Sequence, residues 1–207
     1  MENESASQAG LPRPRGGAVA LPRLVLASAS PRRAEILRAV GWDFEVAPAN
    51  IDEAVRGGET PVAYVERLAR EKAEAAARSR LFGLSLGADT VVVLDGEILG
   101  KPRDQADARR MLASLRDRWH EVLTGVALVR AEDSRAVCAH ERTRVRFAAV
   151  SDAEIDWYVS TGEPADKAGA YAVQGRAALF VEGIEGDYWN VVGLPVRLVY
   201  ELARSFR

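Results

Sequence analysis

The run Leu84–Leu94, LSLGADTVVVL, sets one carboxylate, Asp89, inside an otherwise apolar stretch, with Val91, Val92 and Val93 after it and no turn between. β-Branched residues in a short run bounded by turn signals predict a strand. Burying a carboxylate on or beside such a strand is costly unless a cation, a metal or a hydrogen-bond network compensates it, so Asp89 is a candidate functional group. The competing reading is a strand-end aspartate bonded to neighbouring backbone. Asp95-Gly96 follows and favours a tight hairpin turn into GEILGKP, which makes Asp95 structural.

Strand and helix signals alternate around this run. LVLAS, beginning at Leu24, reads as a buried strand. In the helix after it, Ser30 can cap, Pro31 suits the first position, and Gly41 is placed to end it. DFEVAPANIDE gives a short strand and an acidic loop. Thr60-Pro61 starts a helix with Tyr64, Val65 and Leu68 on one apolar face and Lys72 near its middle. Asp104 caps the next helix, two strands follow, and Arg142, Arg144 and Arg146 alternate with Thr143, Val145 and Phe147 as the wet face of the second. Ser151 and Glu154 form a capping box. The last section predicts a turn-rich pair of strands and a closing helix. The fold class is therefore α/β: a mixed twisted sheet with flanking helices, in two lobes around a deep cleft. Residues 1–21, rich in Ser, Gly, Pro and Ala without sustained period, predict a flexible N-terminal tail, with a single domain over 22–207.

Composition narrows the chemistry. The 207 residues carry 28 basic and 30 acidic side chains, a net charge of −2 that provides no global field toward nucleic acid or an anionic membrane. One cysteine, Cys138, excludes an internal disulfide and a Cys-rich zinc site, and two histidines, His120 and His140, exclude a His cluster. No apolar run approaches the roughly 20 residues of a membrane span. The expectation is a cytoplasmic protein with a small-molecule substrate.

Four constellations could carry chemistry. Ser28-Ala29-Ser30-Pro31-Arg32-Arg33 combines a helix N-terminus, two hydroxyls and two guanidinium forks, chemically a polyphosphate cradle; the competing reading is a capped helix with two solvated arginines. Asp89 is the second. Lys72 and Lys101 form a third, basic group: a lysine on a charge-rich helix is ordinarily solvated, whereas Lys101, between Gly100 and Pro102, sits on a constrained turn. In the fourth, DKAGAYAVQG, small residues allow a ligand to approach the backbone and Gln174 offers an amide donor and acceptor together.

Taken in order, LASASPRRAEIL, YVERLAREKA, GADTVVVLDGEILGKP, DKAGAYAVQG and NVVGLP resemble the Maf family of nucleoside triphosphate pyrophosphatases, from about Leu24 to about Leu202. The resemblance implies a fold akin to inosine triphosphate pyrophosphatases and hydrolysis of a nucleoside triphosphate to monophosphate and pyrophosphate with a divalent metal cation, Mg²⁺ or Mn²⁺. It makes Asp89 the proton acceptor and places substrate choice on Arg32, Thr90 and Gln174; the DKAGAYAVQG segment is similar to that of the dTTP/UTP subgroup. On this reading Asp89 and Glu53 hold the metal, while Ser28, Ser30, Arg32, Arg33, Lys72 and Lys101 bind substrate. A homodimer is suggested by the resemblance alone. The alternatives are a 7-methyl-GTP pyrophosphatase and a nucleotide-binding regulator of septum formation without relevant turnover.

Overall fold

The computed structural model describes residues 22–206, so the tail expected over residues 1–21 lies outside the described residues. The chain enters at β1 (Leu24–Leu26), fully buried, and turns through Ser28 into α1 (Pro31–Ala39), whose Ile36 and Leu37 pack inward. Gly41, at φ +69, closes that helix as expected. β2 (Phe44–Val46) pairs parallel to β1, and a loop leads to α2 (Pro61–Arg78), capped by Thr60 Oγ1 on the Ala63 amide. Then come β3 (Leu84–Leu94) and β4 (Glu97–Leu99), joined at Asp95 and Gly96, both at positive φ as a tight two-residue hairpin requires. α3 (Gln105–Leu115), capped by Asp104, leads to the long hairpin of β5 (Trp119–Arg130) and β6 (Ala136–Phe147). The capping box of Ser151 and Glu154 opens α4 (Asp152–Ser160), and β7 (Val181–Glu185), α5 (Tyr188–Val192) and α6 (Val196–Arg204) finish the chain.

The seven strands form one sheet in the order β2-β1-β3-β5-β6-β7, with β4 alongside β3. One edge of β3 is shared: β1 pairs with Leu84–Leu86 and β4 with Val92–Leu94, leaving the stretch between them without a strand on that side. On its other edge β3 is paired with β5 from Leu84 to Val93. Asp89 and Thr90 therefore sit where the sheet splits, on a strand locked along one edge and open along the other.

The core divides at the same place. Leu84, Leu86 and Ala88 pack with α1 and α6, whereas Val92 and Leu94 pack with α3, α4 and the aromatic residues Phe147, Tyr158 and Phe180. These are the two expected lobes. The opposite face of β3 carries Gly87 and Asp89 under α2. A Cβ on Gly87 would lie 2.0 Å from the Ala69 carbonyl oxygen, and one on Gly125, the β5 partner of Asp89, 2.1 Å from that of Val65. Only glycine lets helix and sheet approach this closely, and that approach carries Lys72 to Asp89.

Two expectations about local structure are corrected. Ser30 occupies the N-cap position of α1 but makes no side-chain cap bond; its own amide donates to Ser28 Oγ at 3.2 Å, and its side chain lines the cleft instead. In the last section one of the two expected strands forms, β7. The residues before it make three 3₁₀ turns instead; Gly169 and Ala170 in the middle one adopt positive φ, outside the strand region, and Gly169 sits so close to Val92 that a Cβ would meet its side chain at 2.7 Å.

Candidate active site

A cleft of about 630 Å³ opens over the split in the sheet. Ser28, Ser30, Arg32 and Arg33 reach it from the β1–α1 junction, Glu53 from the loop before α2, Lys72 from α2, and Asp89 and Thr90 from β3. Lys101, just after β4, and Gln174, from the 3₁₀ region, complete the set, so every site residue expected from sequence borders this one cavity.

Its charged centre is Lys72, 7% exposed, which contradicts the solvated lysine that its helix context suggests. The ammonium lies 2.7 Å from Asp89 Oδ1 and 2.6 Å from Glu53 Oε1, joining two carboxylates distant in sequence. Burial pushes the Asp89 carboxyl above its ordinary range, and Glu53 adds to this, while Lys72 and Arg33 oppose it. Burial also acts upward on Glu53, but the hydrogen bond and charge of Lys72, with Lys101 and Arg33, hold it below the usual carboxylate range. Two acids of one cluster are thus driven apart, Asp89 above its ordinary range and Glu53 below it.

Arg33 is buried on the other side of β3. Its Nε donates to the Gly193 carbonyl at 2.9 Å, Nη1 to Ser28 Oγ at 3.0 Å and Nη2 to Thr90 Oγ1 at 3.1 Å. Burial, and then neighbouring Arg32, lower its pKa against the pull of Asp89 and Glu53. Thr90 also bonds to Thr124 Oγ1 at 2.9 Å. Arg33, Ser28 and Thr90 thereby brace the cleft floor, whereas Arg32 is half-buried and Lys101 and Gln174 are exposed. With the Ser30 side chain unused as a cap, the amides that open α1 keep donors for an anion.

Sequence reasoning missed three lining side chains. Tyr64 donates through its hydroxyl to the Glu53 carbonyl at 2.8 Å and so fixes the acidic loop over α2; the apolar face on which it was placed hides that role. Lys167 adds a cation, paired with Asp166, and its position among the small residues of DKAGAYAVQG could have flagged it. Tyr171 presents one edge to the cleft while its hydroxyl meets His120 Nε2 at 2.7 Å in the core.

As metal donors, Asp89 and Glu53 are hard oxygen ligands gathered by one cation, but among the described residues no group of three or more His, Cys, Asp or Glu side chains could hold a metal ion. Two carboxylates suit a cation that takes its other ligands from water and phosphate. No described helix is long and apolar enough to cross a membrane.

Known proteins share both fold and sequence. The protein from Staphylococcus aureus named Ham1 superposes with a TM-score of 0.53 over 89% of this chain and 100% of its own, at 16% identity, a likeness of fold alone. Proteins named dTTP/UTP pyrophosphatase are much nearer in sequence. That of Symbiobacterium thermophilum is 52% identical over 186 residues, 90% of this chain and 95% of its own length, and that of Anaeromyxobacter sp. strain Fw109-5 is 56% identical over 185 residues, 88% of each. The family described as Maf-like protein matches residues 23–206, the whole span that builds the split sheet and the cleft, and the chain belongs to that family.

Proposed function

We propose that this chain hydrolyses nucleoside triphosphates, dTTP and UTP above others, to the monophosphate and pyrophosphate. The observation that carries the reading is the cluster at the sheet split: a buried carboxylate with a raised pKa, joined through one lysine to a second carboxylate of lowered pKa, beside a phosphate-suited helix start. The relatives named for this activity, at more than half identity across nearly the full chain, support it.

Asp89 offers Lys72 its Oδ1 and keeps Oδ2 for a water. As base it takes the water's proton while the water oxygen bonds to the α-phosphorus in line with the departing bridge oxygen, whose bond to that phosphorus breaks as pyrophosphate leaves. A raised pKa suits the task, since a stronger base accepts the proton more readily. Arg32, Lys101 and the α1 amides neutralise the triphosphate, and Arg33, Ser28 and Thr90 keep α1 aimed at it. Asp89 and Glu53 would hold a divalent cation, Mg²⁺ or Mn²⁺, which supplies charge neutralisation on phosphate oxygens. Uracil and thymine present an N3–H donor beside an O4 acceptor, which the Gln174 amide matches in a single orientation; cytosine presents the reverse. The methyl separating thymine from uracil is worth only about 1–3 kcal/mol, so both are accepted. The same reading takes residues 22–207 as one domain acting in the cytoplasm as a homodimer.

The test is pyrophosphate release across all nucleoside triphosphates, 7-methyl-GTP included, with and without Mg²⁺ or Mn²⁺. Release from dTTP and UTP above the metal-free blank is expected. Release from none supports a binding protein instead, and selective release from 7-methyl-GTP moves the chain to the other subgroup.

A further inference from the structure

Gln174 is exposed and on a turn, yet an amide reads a base edge only when its carbonyl and amino ends are held in one orientation. The backbone that carries it is tied down on both sides by one pair of side chains. Two residues before Gln174, the Ala172 amide donates to Tyr158 Oη at 3.3 Å; two residues after it, the Arg176 amide donates to Glu163 Oε1 at 3.0 Å and Oε2 at 3.2 Å. The two anchors are bonded to each other, Tyr158 Oη donating to Glu163 Oε1 at 3.0 Å. Neither is free to drift. The Tyr158 side chain is fully buried, edge-on to Phe180, and the Glu163 amide is held by Thr161 Oγ1 at 3.2 Å, whose own hydroxyl donates to the Tyr158 carbonyl.

Gly175 completes the arrangement. Its backbone is extended, so no conformational demand calls for glycine there. What excludes a side chain is space: a Cβ would lie 2.3 Å from Glu163 Oε1 and 2.8 Å from its Cδ. The turn has been drawn down onto a carboxylate that is itself fixed by three hydrogen bonds from two donors, the Tyr158 hydroxyl and the Arg176 amide.

We propose that Tyr158 and Glu163 act as positioning residues for nucleobase selection, a clamp that sets the orientation of Gln174 without touching the substrate. The proposal rests on the reading of Gln174 given under the proposed function. A clamp of this kind affects the preferred base more than the phosphate chemistry, because Asp89 and Lys72 belong to β3 and α2 and share no bond with it. A brace that only stabilised the fold would lower turnover of every nucleotide alike.

The experiment measures kcat and KM for pyrophosphate release from UTP and from CTP, with Mg²⁺, in the full chain and in Tyr158→Phe, Glu163→Ala, Glu163→Gln and Gly175→Ala. In Tyr158→Phe, Glu163→Ala and Gly175→Ala the UTP-to-CTP ratio of kcat/KM is expected to fall about tenfold, with UTP losing most. Glu163→Gln keeps an acceptor for the Arg176 amide and restores the ratio to within about threefold of the parent. Hydrogen exchange at the Ala172 and Arg176 amides should quicken in the three impaired variants. Gly175 is exposed, so its variant folds even if loss of a buried group unfolds another. A ratio in Gly175→Ala and Tyr158→Phe within twofold of the parent overturns the clamp while leaving the functional reading intact. A parent protein that releases pyrophosphate from neither nucleotide overturns the functional reading and the clamp with it, and one that turns over UTP and CTP equally overturns the clamp.

Discussion

Two groups of basic residues in this chain invite the same guess from sequence, a solvated surface, and meet opposite fates. Arg142, Arg144 and Arg146 form a conspicuous stripe on β6, and each is paired on the wet face of the sheet: with Glu121 at 3.0 Å, with Glu185 at 2.7 Å, and with Asp117 and Glu182. Arg144 also lies over the Trp119 ring, 4.6 Å from its centre. Lys72 is a single cation on a charge-rich helix, yet it is buried between the two carboxylates of the cleft. Exposed pairs are each worth roughly 0–1 kcal/mol, since solvent screens them and two long side chains must be ordered. Removing one member of a buried group leaves its partners uncompensated in low dielectric, at several times that cost. The difference teaches that burial, rather than the density of charge along the chain, marks where ionic chemistry is concentrated.

The largest effect expected is that of Asp89→Asn, which keeps the shape and removes the base: kcat for UTP should fall by about 10³ or more, within the range of general-base contributions. Turnover at the parent rate would break the comparison at its centre, because the buried group would then be structural. Next comes Lys72→Met, expected to lower kcat by about 10- to 100-fold and to move the acid limb of the rate profile to higher pH. The sign follows from Asp89. Its pKa is already raised by burial, Lys72 acts to lower it, and the base works only when deprotonated, so activity is lost as pH falls through that pKa and loss of the lysine moves the fall upward. An acid limb that stays in place would show that the ammonium does not govern Asp89. The smallest effect is that of Arg144→Ala, which should leave kcat/KM within twofold and shift Tm by no more than a few degrees, as the loss of one exposed pair implies. A collapse of activity there would erase the contrast between the two groups.

A third region separates charge from burial. His120 is buried in the core of the α3–α4 lobe with its Nδ1 unpartnered, and burial pulls its pKa down to about 4. The unfolded chain binds a proton near pH 6.5 that the folded chain refuses until about 4, so stability is lost as pH falls through that window, by up to about 3 kcal/mol. His120→Gln should flatten that part of the stability profile in chemical denaturation followed from pH 7 to pH 4. An unchanged slope would assign acid sensitivity to other groups.

Much of this could be read in the sequence, for identifiable reasons. Capping signals at Thr60, Asp104 and Ser151 are local, and all three side chains accept the expected amide. The Asp95-Gly96 hairpin is equally local. Asp89 declared itself because a carboxylate among valines violates the apolar pattern around it. Lys72 did not, because a helix with alanine on several faces shows nothing of which face another element will cover, and Gly87 and Gly125 acquire their meaning only when α2 lies on them. Ser30 failed as a cap because its side chain faces a cavity that no six-residue window reveals. Of the final section, β7 forms and its expected companion does not: Gly169 and Ala170 take positive φ, and the Gly169 amide donates to the Gly100 carbonyl and its backbone packs on Val92, contacts that lie far away in the chain.

By itself, then, the sequence determined the alternation of strand and helix, the caps and turns that bound them, and the residue types able to meet a polyphosphate, since these depend on neighbours a few positions apart. Tertiary structure decided which of those residues meet. Glu53 and Asp89 lie far apart in the chain and become neighbours of one ammonium only because β1 and β4 leave a gap along β3 and two glycines let α2 settle onto the sheet. A buried charge is tolerable only where its partners converge, and that convergence is a property of the fold.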